Sequence, residues 1–145
     1  MLKNGNAKRI YAIDVGNRRV GVARADVLGI LASAVGMYER SNILQGLKKL
    51  DQSDPVGTFV VGWPLSLSGE EGKAVHMVRS FIGELKKAFP DVEVVTLDER
   101  FTSVLAQRSI IDSGAKKKKR RDKGNVDAVA ATILLQNYLD QRRNF

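Results

Sequence analysis

The chain has 145 residues, 43% of them hydrophobic and 28% charged, which suits one soluble globular domain with a real core. It has no cysteine, which excludes disulfides and thiolate zinc sites, and no apolar run long enough to span a bilayer. The formal net charge is +8, of which Lys116 to Lys123 supply +6.

The positive charge is therefore local. A local basic block favours a polyanionic partner, nucleic acid ahead of a membrane surface, although a solvated loop is the commoner use of such a run. The segment from Met1 to Arg9 is polar and basic, and the apolar run behind it breaks at Asp14. That run is too short for a secretory signal, so the expected location is the cytoplasm.

Ile10 to Asp14 reads as a short buried strand, Gly16 to Arg19 as a turn, and Val20 to Ala23 as the returning strand. Leu31 to Met37 reads as a third strand, and the three together form an antiparallel meander. Ser41 or Asn42 caps a helix with apolar positions Ile43, Leu44, Leu47 and Leu50. Pro55 and Gly57 end that unit. Thr58 to Trp63 is a continuous apolar strand, the pattern of a sheet covered on both faces. A loop from Pro64 to Gly72 leads to a long helix with the stripe Ala74, Val78, Phe81, Ile82, Leu85 and Phe89, stopped by Pro90. Val92 to Leu97 is the next strand. Thr102 or Ser103 caps a helix through Val104, Leu105 and Ile111 that ends at Gly114. Asn125 caps the final helix. Strands alternating with helices in the second part imply parallel pairing. With the meander in front, the expected fold is α/β with a mixed sheet, in a single domain over residues 1–145.

Three carboxylates stand at the ends of these elements. Asp14 closes the first strand, Glu99 follows the fifth within Asp98-Glu99-Arg100, and Asp127 opens the last helix. Taken alone, Asp14 reads as a turn aspartate. Sites in open α/β sheets form at the carboxyl ends of parallel strands, yet Asp98 to Arg100 reads equally well as a solvated loop. Asp127 is sharper. It shares a helical stripe with Ala130, Ala131, Leu134 and Tyr138, where a buried carboxylate costs several kcal/mol in order of magnitude unless a cation or donors compensate. Helix-start electrostatics explains an acid near the start, but not its place on the apolar stripe. If the fold gathers the three acids, they form an oxygen cluster of the kind hard divalent cations take. In a basic protein that suggests phosphodiester chemistry. His76 is the sole histidine and falls off its helix's apolar stripe, so a histidine base or triad is not expected. Trp63 reads as packing at a strand end, or as a platform for a base.

In order along the chain, Ile13-Asp14-Val15-Gly16-Asn17-Arg18-Arg19-Val20-Gly21-Val22-Ala23, Val60 to Gly69, Leu97-Asp98-Glu99-Arg100-Phe101-Thr102-Ser103 and Val126-Asp127-Ala128-Val129-Ala130-Ala131 resemble the YqgF/RuvX family. Its members are described as nucleases of pre-ribosomal RNA and, by an older label, as Holliday junction resolvases. The resemblance spans about Lys8 to Asp140. It implies a ribonuclease H-like fold with a five-stranded mixed sheet flanked by helices. It implies a metal-dependent site built from Asp14, Glu99 and Asp127, with Mg²⁺ or Mn²⁺ as cofactor. It implies a bacterial protein acting in 5′ maturation of the small-subunit ribosomal RNA precursor, in contact with structured RNA or pre-ribosomal particles. Arg100 and the basic residues Lys116, Lys117, Lys118, Lys119, Arg120 and Arg121 would hold phosphates.

Three other readings stand beside this one. Junction resolvases of the RuvC type carry a further acid one turn past the helix acid, where this chain has Ala130, and that weighs against branched DNA. An ATPase of the actin and sugar-kinase type would need a second Asp-x-Gly hairpin, which is absent. A non-catalytic nucleic-acid-binding assembly factor remains open.

Overall fold

The computed structural model describes residues 7–64, 69, 71–99 and 123–143, with side chains of the last helix from residue 128 onward. The predicted helix after Thr102, Arg100 and the basic residues 116–121 lie outside the described residues. Within them the chain runs β1 (Arg9–Val15), β2 (Arg19–Ala25), β3 (Ala32–Glu39), α1 (Ile43–Ser53), β4 (Val56–Trp63), α2 (Lys73–Ala88), β5 (Glu93–Asp98) and α3 (Lys123–Arg143). The five strands form one sheet in the order β3-β2-β1-β4-β5. The β1–β2 and β2–β3 pairs are antiparallel, and β1–β4 and β4–β5 are parallel. The expected mixed sheet, a meander followed by parallel strands, is the one observed.

Alternation along each strand sorts side chains onto two unlike faces. Tyr11, Ile13, Val20, Val22, Phe59 and Val61 meet α1 and α2 through Ile43, Leu47, Val78, Phe81 and Leu85. Phe89 packs edge-on against Phe59 with ring centroids 5.1 Å apart. The opposite face carries alanines at its centre, with Val60, Ile10, Val95 and Leu97 beside them. Ala12, Ala23, Ala25 and Val60 receive Ala131, Leu134, Leu135 and Leu139 of α3. Gln136 fastens α3 lengthwise: its Oε1 accepts from the Ala32 amide at 2.9 Å and its Nε2 donates to the Ile30 carbonyl at 2.9 Å.

Several local expectations are corrected. Gly57 does not end the helical unit but lies inside β4, where the register passes from Arg9↔Val56 to Ile10↔Thr58 and leaves it as the bulged residue. A glycine in a strand interior suits a bulge as well as a break. On α2 the buried residue of the first turn is Val75, while Ala74 is exposed. Either keeps helical spacing to Val78, and the larger side chain gains more by burial. Asn42 occupies the N-cap of α1 without a side-chain capping bond. The last helix begins at Lys123, so Asn125 sits inside it and does not cap it. Gly124 is a weak helix former, not a stop.

Because α3 approaches the sheet alanine against alanine, there is no room for a longer side chain at its centre. Ala131→Leu should destabilise the protein by about 1–3 kcal/mol through overpacking, read as a lower urea midpoint with an unchanged slope.

Candidate active site at the carboxyl ends of the parallel strands

Asp14 is the penultimate residue of β1. Ile10 and Ala12 belong to the α3 face, and Tyr11 and Ile13 to the other. The period of two therefore sends Asp14 to the α3 side, where it is half-buried. Its neighbours on both flanking strands are glycines. Gly21 of β2 is its direct cross-strand partner. Gly62 of β4 lies one residue past the Ile13↔Val61 pair.

Glu99 follows β5 directly and is half-buried. Its carboxylate rests on Gly62: a Cβ at that position would lie 3.3 Å from Glu99 Cδ and Oε2, and 3.3 Å from Leu134 Cδ2 of α3. The missing side chain at Gly62 is thus the seat of the carboxylate. Gly62 belongs to the strand next to Asp14 and lies at the same level. The fold accordingly brings the Asp14 and Glu99 positions to one end of one face. Asp98, by contrast, pairs with Trp63 and falls by alternation on the opposite face, so only one acid of Asp98-Glu99-Arg100 turns towards Asp14.

The backbone of Asp127 lies in the first part of α3, one turn before the fully buried Ala131. Gln136 is bonded at the level of Ala32, which pairs with Ala25. From Gln136 back to Asp127 is about 13 Å of helix. From Ala25 back to Gly21 is about 13 Å of strand. The two lengths match, so an α3 axis running along β2 would bring the helix position of Asp127 level with Gly21 and Asp14.

Nothing else of catalytic character joins the acids among the described residues. His76 is exposed on α2, across the sheet from them. Trp63 packs on the α1/α2 face with the Arg79 guanidinium 5.4 Å from its ring centroid, which makes it packing and not a base platform. No group of three or more acidic, histidine or cysteine side chains is assembled among the described residues, the side chain of Asp127 being outside them. The donor set is all oxygen, and one carboxylate is seated against bare backbone beside the strand of another. Oxygen donors so placed at Asp14 and Glu99 suit a hard divalent cation.

Sequence reasoning missed Gly62 and Gly21. The available signal was a glycine within a run of branched apolar residues, which marks close approach by another group.

A mixed sheet in the order β3-β2-β1-β4-β5, with Asp14 near the carboxyl end of its central strand, Glu99 just past its parallel edge strand and α3 on that face, is a ribonuclease H-like arrangement. The RuvX family, described as "Holliday junction resolvase", matches residues 8–141, and this chain belongs to that family. It is 40% identical to the "Putative pre-16S rRNA nuclease" of Phocaeicola vulgatus over 93% of this chain and 97% of that protein. It is 42% identical to the protein of that name from Porphyromonas gingivalis over 91% and 96% of the two chains. The Chlorobaculum tepidum protein of that name is 34% identical over 96% and 98%. Among the described residues no helix is long and apolar enough to cross a membrane.

A side chain at position 62 competes directly with Glu99. Gly62→Ala needs shifts of a few tenths of an ångström, whereas Gly62→Val drives branched atoms into the carboxylate and Leu134 and should cost about 1–3 kcal/mol. Calorimetric titration with Mn²⁺ should show weaker binding in Gly62→Val than in Gly62→Ala, and weaker in both than in the wild type.

Proposed function

We propose that this chain is a metal-dependent nuclease that hydrolyses phosphodiester bonds in 5′ maturation of the small-subunit ribosomal RNA precursor, with residues 1–145 forming one cytoplasmic catalytic domain. The observation that carries the reading is the Glu99 carboxylate seated on Gly62, level with Asp14, at the carboxyl ends of parallel strands. The names of the full-length bacterial relatives support the substrate class.

Asp14, Glu99 and Asp127 would hold Mg²⁺ or Mn²⁺. When bound, such ions activate water and stabilise the leaving oxygen of an in-line displacement. Asp14 is a rigid ligand, because a residue inside a paired strand has little freedom of backbone orientation. Glu99 is oriented by its contact with Gly62 and Leu134. The alanine face of α3 lets the helix bearing Asp127 come close to the sheet. With the only histidine across the sheet, proton transfer within the site rests on carboxylates and solvent. Arg100 and the basic residues Lys116, Lys117, Lys118, Lys119, Arg120 and Arg121 would neutralise phosphates of the substrate.

Asp14→Asn, Glu99→Gln and Asp127→Asn should each remove most cleavage and leave the far-ultraviolet spectrum unchanged. Each loss should exceed the roughly 10–100-fold typical of outer-shell partners of a metal site. A double variant should lose little more than a single one, since groups that act as a unit fail together. Full activity in folded Asp127→Asn would remove that residue from the site.

Cleavage of a labelled precursor RNA should require Mg²⁺ or Mn²⁺. Ca²⁺, with its looser coordination geometry, should support binding with little cutting. Robust cutting in excess chelator would overturn the mechanism. Faster cutting of a four-way DNA junction than of the precursor would shift the substrate to branched DNA.

A further inference from the structure

The described arginines divide cleanly by what their guanidinium groups do. Arg9 and Arg24 both pair with Asp54, at 3.1 and 2.8 Å. Arg40 is held by Glu84 at 2.8 Å and lies over the Phe81 ring. Arg79 pairs with Glu71 while covering Trp63. Arg143 pairs with Asp140, and Arg142 lies over Tyr138. Arg18 and Arg19 are exposed, and among the described residues neither makes a side-chain hydrogen bond, an ion pair or a ring contact. Glu39 stands opposite Arg19 in the β2–β3 ladder, yet the two form no ion pair.

These two arginines occupy the turn that follows Asp14. Arg19 precedes Gly21 by two residues, so it lies on the same face as Asp14 and about 7 Å farther along the strand. The turn is stiff. The Gly16 amide donates to the Arg19 carbonyl at 2.9 Å, and the Arg40 amide donates to the Arg18 carbonyl at 2.7 Å. A Cβ at Gly16 would sit 2.7 Å from the Arg19 carbonyl oxygen, so a residue with a side chain there would break this geometry. The arginines border a shallow concavity lined also by Glu39, Arg40 and Ser41. Two exposed guanidinium groups without partners among the described residues, on a braced turn just past Asp14, are hydrated and available to an anion. Arginine is the side chain that grips phosphate bidentately.

We infer that Arg18 and Arg19 form a phosphate clamp that holds the nucleic-acid backbone on the β2 side of the acidic site. The clamp rests on the nuclease reading for its purpose, but not for its binding chemistry. It lies on backbone braced by the Gly16–Arg19 and Arg40–Arg18 hydrogen bonds. It binds ground state and transition state alike, so it sets affinity and strand path without entering the chemical step.

The test compares the wild type with Arg18→Gln/Arg19→Gln, using a fluorescein-labelled RNA hairpin with a single-stranded 5′ extension across a salt series in Ca²⁺. Loss of two phosphate contacts should flatten the slope of log affinity against log salt by roughly 1.4 to 1.8. Affinity at 0.1 M salt should fall by about 25- to 60-fold, with the curves converging towards 1 M. With Mg²⁺, KM should rise and kcat should stay within about twofold, the pattern of uniform binding. Arg18→Lys/Arg19→Lys should keep the slope. Lys86→Gln/Lys87→Gln, which removes the same charge from the last turn of α2, should leave both slope and KM close to wild type. Equal thermal midpoints confirm intact folds.

Wild-type affinity and slope in the arginine variant would overturn the clamp, and so would an equal loss in the Lys86/Lys87 variant. A wild type that binds with the full slope but cuts nothing in Mg²⁺ or Mn²⁺ would overturn the nuclease reading and leave the clamp standing.

Discussion

The parallel pairing of β1 with β4 is the constraint on which the candidate site depends. With Ile13 beside Val61, the next residues, Asp14 and Gly62, stand level on the face away from the large core. The register is held from that other face. Tyr11, Ile13, Phe59 and Val61 are all fully buried, each worth about 1.5–3 kcal/mol for removal from water. A one-residue slip of β1 against β4 would turn Tyr11 and Ile13 to the α3 face and send Asp14 to the wrong side. The aliphatic and aromatic layer thus acts at a distance on the acids, by making every other register far less stable.

The two layers differ in thickness for a reason that bears on chemistry. Rings and branched chains separate the sheet from α1 and α2. Alanines separate it from α3, so the helix carrying Asp127 lies close. Gln136 sets its position along the strands through hydrogen bonds to Ala32 and Ile30. The half-buried carboxylates of Asp14 and Glu99 on this face have lost part of their hydration, a cost that a bound cation or nearby donors offset. Shaping one face with glycine and alanine and the other with large side chains separates holding the fold together from holding the ligands.

Charge is divided along similar lines. Most described arginines are spent on ion pairs and ring contacts that tie helices and strand ends to one another. Exposed pairs of this sort contribute modestly to stability, but they neutralise the surface where they occur. Among the described arginines, Arg18 and Arg19 are the two left without such a partner, on the turn that follows Asp14. For a polyanionic substrate, the positive field of such a pair raises local concentration and orients approach.

The sequence by itself determined the order of the described elements and the mixed character of the sheet, because those signals are local, whereas Asp127, expected to open the last helix, lies inside a helix that starts at Lys123. Periodicity, turn residues and breakers act over a few positions. The family resemblance also lies in continuous motifs. The resemblance had already singled out Glu99, and the tertiary structure supplied the physical reason: Asp98, paired with Trp63, falls on the face away from α3, while the Glu99 carboxylate rests on Gly62. The tertiary structure alone decided that Gly57 is a bulge and Gly62 a seat for a carboxylate, because a glycine's role depends on what approaches it from another strand. It chose Val75 over Ala74, which are equivalent in helical phase and differ only in the area buried once α2 meets the sheet. It separated Arg18 and Arg19 from the other described arginines, because a charge's availability depends on whether the folded chain brings a carboxylate or a ring to it, and that is set by contacts between residues far apart in sequence.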